Sequence, residues 1–136
     1  MTRFPTDGVN PGTYVSGASK DHQFLMGSEV EVAEESNYRS KVKAWNSETG
    51  QLVFEQGVEG VTITAFQVSN DHKFISFASS FENTIYVFDF QTGAKIHEFK
   101  GHTSMIELTE FSDDSKRLIS SALDGTRRVW NLEKQN

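Results

Sequence analysis

A histidine, a serine and an aspartate fall close together near the end of this 136-residue chain: His102, Ser120 and Asp124. Those three types are the base, nucleophile and orienting acid of a serine hydrolase. The surrounding residues argue against that chemistry. Ser120 lies in the middle of the strand-like run Arg117 to Leu123, and no Gly-x-Ser-x-Gly turn lifts it clear of the chain. The remaining histidines do not suggest a metal site either. His22 and His72 recur in the polar pairs Asp21-His22 and Asp71-His72, at equivalent turns expected to lie too far apart to share one ion, and His97 stands alone. There is no cysteine and no glycine-rich phosphate loop, so no catalytic residue, metal or cofactor is expected.

The elements that hold these residues repeat. The aromatic anchors Trp45, Phe88 and Trp130 are 43 and 42 residues apart, and a polar turn containing Asp21, Asp71 or Asp114 precedes each of them. A constant period of this size marks units too small to bury their own apolar face, which must stack on neighbours. Each unit divides into short β segments. In the last, Met105 to Phe111, Arg117 to Leu123 and Thr126 to Leu132 are separated by a Ser-Asp-Asp-Ser turn and an Asp124-Gly125 hairpin. The middle unit reads as Val61 to Val68, Phe74 to Ser79, Thr84 to Phe90 and Lys95 to Phe99. The first ends with a strand from Gln51 to Glu55, after a Thr49-Gly50 turn that matches Thr92-Gly93. No long stretch carries the 3.6-residue period of a helix, so the fold class is all-β.

The period, Gly101-His102, the Asp124-Gly125 turn and the closing Val129-Trp130-Asn131 together resemble the WD-repeat β-propeller family. The resemblance covers the chain from about Tyr14 onward, and only the third repeat is complete. It implies blades of four antiparallel strands, about three of them, at residues 13–56, 57–100 and 101–136 of a single propeller segment. It also implies a structural network linking His102, Ser120, Asp124 and Trp130, in which indole, hydroxyl, imidazole and carboxylate satisfy one another. The first two repeats keep the blade anchors Trp45 and Phe88 but lose most of that network, so apolar packing alone is expected to hold them.

The net charge of −6 is concentrated early: residues 1–90 hold 6 Lys and Arg against 12 Asp and Glu. An acidic surface repels a phosphate backbone, which makes a nucleic-acid scaffold a poor reading. No apolar run approaches the length of a bilayer span, and neither cysteine nor an Asn-x-Ser/Thr site is present. An intracellular setting, cytoplasm or nucleus, fits best, with no membrane partner.

Two irregularities carry functional expectations. An excursion from Gly27 to Ser40 places Glu29, Glu31, Glu34 and Glu35 before Tyr38 and Arg39, in a pattern that suits a protruding hairpin with acidic residues opposite basic ones. Such a hairpin offers a partner protein both charge and backbone. Arg127 stands where the other repeats have Val42 and Ile85, at a position that should face a blade interface; snorkelling at an exposed end blade is the favoured reading, ahead of a functional role. Three blades fall short of the four to eight of closed propellers. The chain is therefore expected to need further blades, from the same or another chain, with Phe66, Phe77, Val87 and Val129 lining bare faces. The Pro- and Gly-broken N-terminal residues 1–12 make a poor donor strand. The function that follows is a non-catalytic protein-interaction scaffold; part of an enzymatic or quinone-type cofactor-binding propeller is the alternative.

Overall fold

The computed structural model describes residues 14–34, 37–60, 62–80 and 83–133, and leaves the side chains of residues 14–16 and 31–37 outside that description. The N-terminal segment 1–12, Glu35, Val61 and the side chains of Glu31 and Glu34 therefore lie outside the described residues.

Eleven strands form three antiparallel sheets among the described residues. The first contains β1 (Tyr14–Ala18), β2 (Phe24–Glu34), β3 (Asn37–Asn46) and β4 (Leu52–Glu59) in sequential order. The second contains β5 (Ile63–Val68), β6 (Phe74–Ser79), β7 (Thr84–Asp89) and β8 (Lys95–Phe99). The third is β9 (Ile106–Phe111), β10 (Arg117–Ala122) and β11 (Arg127–Asn131). This is the all-β blade architecture expected from the period.

One turn is written three times. In Ser19-Lys20-Asp21-His22 the serine hydroxyl donates to Asp21 Oδ1 across 2.6 Å and accepts the Phe24 N–H. The same bonds recur around Ser69 and Asp71, and around Ser112 and Asp114. The fourth residue of each turn, His22, His72 or Ser115, has φ near +60°. A short side-chain oxygen bonded to nearby main chain stabilises that conformation without help from another element. This local self-sufficiency is why these turns are readable from sequence.

The sheets stack face to face. Met26, Val42, Ala44 and Phe54 of the first meet Ile75, Phe77, Tyr86 and Phe88 of the second. On the other side of the second sheet, Ala78, Ile85, Val87 and Phe99 meet Ile106, Phe111 and Leu118 of the third. Phe77 and Val87 are completely buried and Phe66 packs against the first cluster, so the expectation that these three line bare faces is corrected. Stacking within the chain covers them, and only Val129 of that set is exposed.

Polar links add to this packing. Thr64 donates to the Ile106 carbonyl across 2.9 Å, and Thr109 donates to the Ala65 carbonyl across 2.6 Å, which ties the innermost strands β5 and β9. Ser76 shares a buried hydrogen bond of 3.2 Å with Thr109. The second sheet is thus held by more than apolar packing, contrary to the expectation from its missing network residues. Ser76 was visible in the sequence, but its partner sits in the next sheet.

Candidate functional site

The third sheet brings His102, Ser120 and Trp130 into direct contact. Trp130 Nε1–H donates to Ser120 Oγ across 2.9 Å, and His102 Nε2 lies 2.6 Å from the same oxygen. Asp124 does not touch His102. Thr126 stands between them, 3.4 Å from His102 Nδ1 and donating to Asp124 Oδ1 across 2.7 Å. The donors order themselves in one direction: indole N–H to serine, serine O–H to Nε2, Nδ1–H to threonine, threonine O–H to carboxylate. That order assigns the Nδ1–H tautomer to His102. It also fits the imidazole pKa, which burial and then the Arg128 charge push below the usual range.

Burial separates the two ends of this chain. Ser120 is 1% exposed, whereas Asp124 is a surface residue, so the expected four-member network is longer and only half buried. The Asp124 carboxyl is held below the usual carboxylate range chiefly by the Thr126 hydroxyl and N–H. Sequence spacing gave no signal for Thr126 in this role. Its place directly after Asp124-Gly125 is the clue that could have found it.

Ser120 has no open approach, and its oxygen already accepts the indole N–H. The arrangement meets a structural need rather than the geometry of a nucleophile. Around it, Phe99 of β8 stacks on Trp130 at 4.7 Å and His97 stacks on Phe99 at 4.8 Å. His97 Nε2 is 3.0 Å from the Leu132 carbonyl, so this residue, expected to stand alone, is a buried link between the second and third sheets. Trp130 is partly buried, and the other two anchors, Trp45 in the first sheet and Phe88 in the second, are fully so.

His72 and Asp21 bring the equivalent turns of the first two sheets into direct contact, nearer than the expectation that such turns lie too far apart to share one ion. His72 Nε2 is 2.7 Å from Asp21 Oδ2, with the His72 ring edge-on to Phe24 at 5.1 Å. The Ser19 hydroxyl, followed by the His72 side chain and the Gln23 N–H, outweighs desolvation and lowers the Asp21 pKa to about 2. This is a pair between hairpins, and no three His, Asp or Glu side chains gather among the described residues.

The excursion in the first sheet is a hairpin. β2 and β3 stay paired far beyond the end of β1, with Glu29 opposite Lys41, Glu31 opposite Arg39 and Val32 opposite Tyr38. The expected charge register is therefore present in the backbone. The ion pair runs diagonally: Lys43 is 2% exposed, with Nζ 3.0 Å from Glu29 and 3.8 Å from Glu55. β4 follows the hairpin to Glu59, opposite Arg39, four residues past the expected end. Gly57 admits this extension, because a Cβ there meets the Arg39 guanidinium at 3.2 Å. On the face away from Lys43, Val30 and Tyr38 are 52% and 53% exposed. Arg127 is exposed as well, on the far face of the third sheet.

Stacked antiparallel blades joined by inner-strand links define a β-propeller segment. The WD domain, G-beta repeat family matches residues 93–131, a stretch that begins before β8 and ends with β11. The chain belongs to the WD-repeat propeller family. It is 28% identical over 96 residues to apoptotic protease-activating factor 1 of Rattus norvegicus, matching 71% of this chain and 8% of that protein. With autophagy-related protein 16 of Arabidopsis thaliana the identity is 30% over 96 residues, covering 68% and 18%. The β-propeller domain of Myceliophteria thermophila Cps50 (Swd1) superposes with a TM-score of 0.71 at 13% identity, over 93% of this chain and 38% of that one. The chain thus spans less than a fifth of either curated relative, and well under half of that propeller.

Proposed function

We propose that this chain is a non-catalytic protein-interaction scaffold whose partner-contacting element is the β2–β3 hairpin. The observation that carries the reading is the exposure of Val30 and Tyr38 on one face of a ladder whose other face is fixed by Lys43 and Glu29. An aromatic and a branched aliphatic side chain on a pre-ordered ribbon supply contact area at little entropic cost. The sequence of the same excursion is acidic, with Glu31, Glu34 and Glu35 between these two side chains, so a partner surface of positive charge suits it. The WD-repeat setting supports this reading, since such relatives serve mainly as interaction platforms. No observation favours the quinone-type alternative. The net charge of −6 points to a protein partner rather than nucleic acid, in the cytoplasm or nucleus.

The test is a Val30→Ser/Tyr38→Ala double variant, with a photo-crosslinking residue placed at Tyr38 in a parallel sample and at Asp113 as a control. The reading expects an unchanged melting temperature for the double variant and protein adducts at Tyr38 that Asp113 does not give. Equal adducts at both positions, or none, overturn it.

A further inference from the structure

One edge of the β2–β3 hairpin has no strand beside it among the described residues. β1 stays with β2 only as far as Tyr14 opposite Ser28, whereas β2 runs on to Glu34. The other side of the ribbon is covered, since β4 follows β3 up to Glu59 opposite Arg39. The main-chain bonds at the base of the ladder show which groups this leaves over. Ser47, directly after β3, donates its N–H to the Gln23 carbonyl, and Ser19, directly after β1, donates to the Phe24 carbonyl. In an antiparallel ladder that alternation continues with a period of two. The register is regular from Phe24 opposite Asn46 to Val32 opposite Tyr38, so odd-numbered residues of β2 bond β3. The N–H and carbonyl groups of Val30 and Val32 point the other way, past the end of β1.

Strand edges of this kind are ordinarily blunted by Lys, by Pro or by an early bulge. From Glu29 to Glu34 there is neither Lys nor Pro, and the register shifts only at the tip, between Val32 and Glu34. The stretch is acidic instead. Glu29 is engaged by Lys43 across 3.0 Å and Arg39 stands opposite Glu31 in register, but Glu34 and Glu35 follow with no base between them. This charge decides between occupants. A second copy paired edge to edge about Val30 would set Glu29 against Glu31, and like charges directly opposite are unfavourable. The residues of this chain that precede β1 include Pro5, Gly8, Pro11 and Gly12, with Arg3 as the one base and Asp7 as the one acid. That composition is poor in strand formers and brings no excess of positive charge.

We propose that β2 from Glu29 to Glu34 is the docking edge for an extended segment of another protein, in which Lys or Arg alternates with apolar residues. The segment adds to the hairpin as a further strand, its main chain bonding the N–H and carbonyl groups of Val30 and Val32. Its apolar side chains lie on the face of Val30, which is exposed, and its basic ones lie on the face of the Glu29 and Glu31 positions. The inference rests on the hairpin being the partner-contacting element, and it adds the mode of contact and the chemistry of the partner. The two can fail separately. Adducts at Tyr38 report contact of any kind, whereas strand addition is read at main-chain amides.

The test follows amide hydrogen exchange of the full chain by NMR, free and with the synthetic peptide Lys-Val-Lys-Val-Lys-Val-Lys. At about ten times its Kd the peptide leaves roughly a tenth of the edges free, so the Val30 and Val32 amides should exchange about tenfold more slowly. The Glu29 and Glu31 amides, already bonded to β3, change little. The same peptide N-methylated at every residue keeps its charge but cannot donate to the ladder, and gives no protection. Neither does Glu-Val-Glu-Val-Glu-Val-Glu. Unchanged exchange at Val30 and Val32 overturns the inference, as does equal slowing with either control peptide. Protection already present in the free chain also overturns it, because the edge is then held by residues preceding β1 or by a second copy. Tyr38 adducts obtained beside any of these results leave the hairpin reading in place and remove strand addition alone.

Discussion

Trp130 and Ser120 are joined by an indole N–H that donates to the serine oxygen across 2.9 Å. This bond leaves the serine proton facing His102 and so sets the direction of every later link. Ser120→Ala removes the acceptor of the indole and the partner of Nε2 at once. Loss of one buried partner costs about 1–3 kcal/mol. Asp124→Ala sits at the exposed end of the chain and leaves the buried bonds intact. Thermal unfolding is expected to show a clear fall in Tm for Ser120→Ala and a smaller one for Asp124→Ala. Equal falls contradict the order of the chain.

His102 gives the protein a pH dependence near neutrality. Its folded-state pKa lies below that of the unfolded chain, so below about pH 6.5 the unfolded state binds the proton more readily. The contribution is complete above that pH and declines as pH falls toward the folded-state value. Denaturant melts from pH 7.5 to pH 5 should show the decline, and His102→Asn should flatten it. Nitrogen-15 NMR should find the neutral ring protonated at Nδ1.

Asp21 acts at lower pH and with the carboxylate sign. Its folded pKa of about 2 is below the model-compound value of 3.8, so its contribution is present above about pH 4 and is lost as pH falls toward 2. The side chain is partly exposed and its effect is screened. Asp21→Asn should remove that part of the acid transition, and His72→Ala should reduce it. An acid limb identical in the wild type and Asp21→Asn contradicts the assignment.

Lys43 sits between Glu29 and Glu55 with almost no contact with solvent. Lys43→Met leaves the mostly buried Glu29 without this cation, at about 3–5 kcal/mol. Lys43→Met combined with Glu29→Gln should recover part of that loss, because no uncompensated charge remains. A double-mutant cycle in denaturant measures the coupling; additive losses refute the pair.

Much of this architecture was legible in the chain because it is local. The Ser-x-Asp turns, the Thr-Gly turns and the Glu29–Lys41 register depend on residues within one hairpin, where alternation and turn chemistry decide the outcome. What escaped notice depends on the angle between sheets. Neither the His72–Asp21 pair nor the Ser76–Thr109 bond leaves a trace in spacing, since each joins hairpins from different repeats. Thr126 was hidden for another reason: as the first residue of the strand-like run Thr126 to Leu132 it is accounted for without a role in the network, although its place after the Asp-Gly turn is a clue. The length of β4 was foreshadowed by Val58, which keeps the inward alternation of Phe54 past the expected end.

The stretch 93–131 that matches one family repeat supplies β8 to the second sheet and β9 to β11 to the third. The written unit and the hydrogen-bonded unit are therefore out of phase by one strand, like courses of overlapping brick. Pulling one repeat away takes the hem from the sheet behind it and, with Phe99, the plate on which Trp130 rests. Mechanical or thermal failure that starts in either of these two sheets must then pass to its neighbour. The second and third sheets are expected to yield together as a single body, whatever the length of polypeptide that contains them.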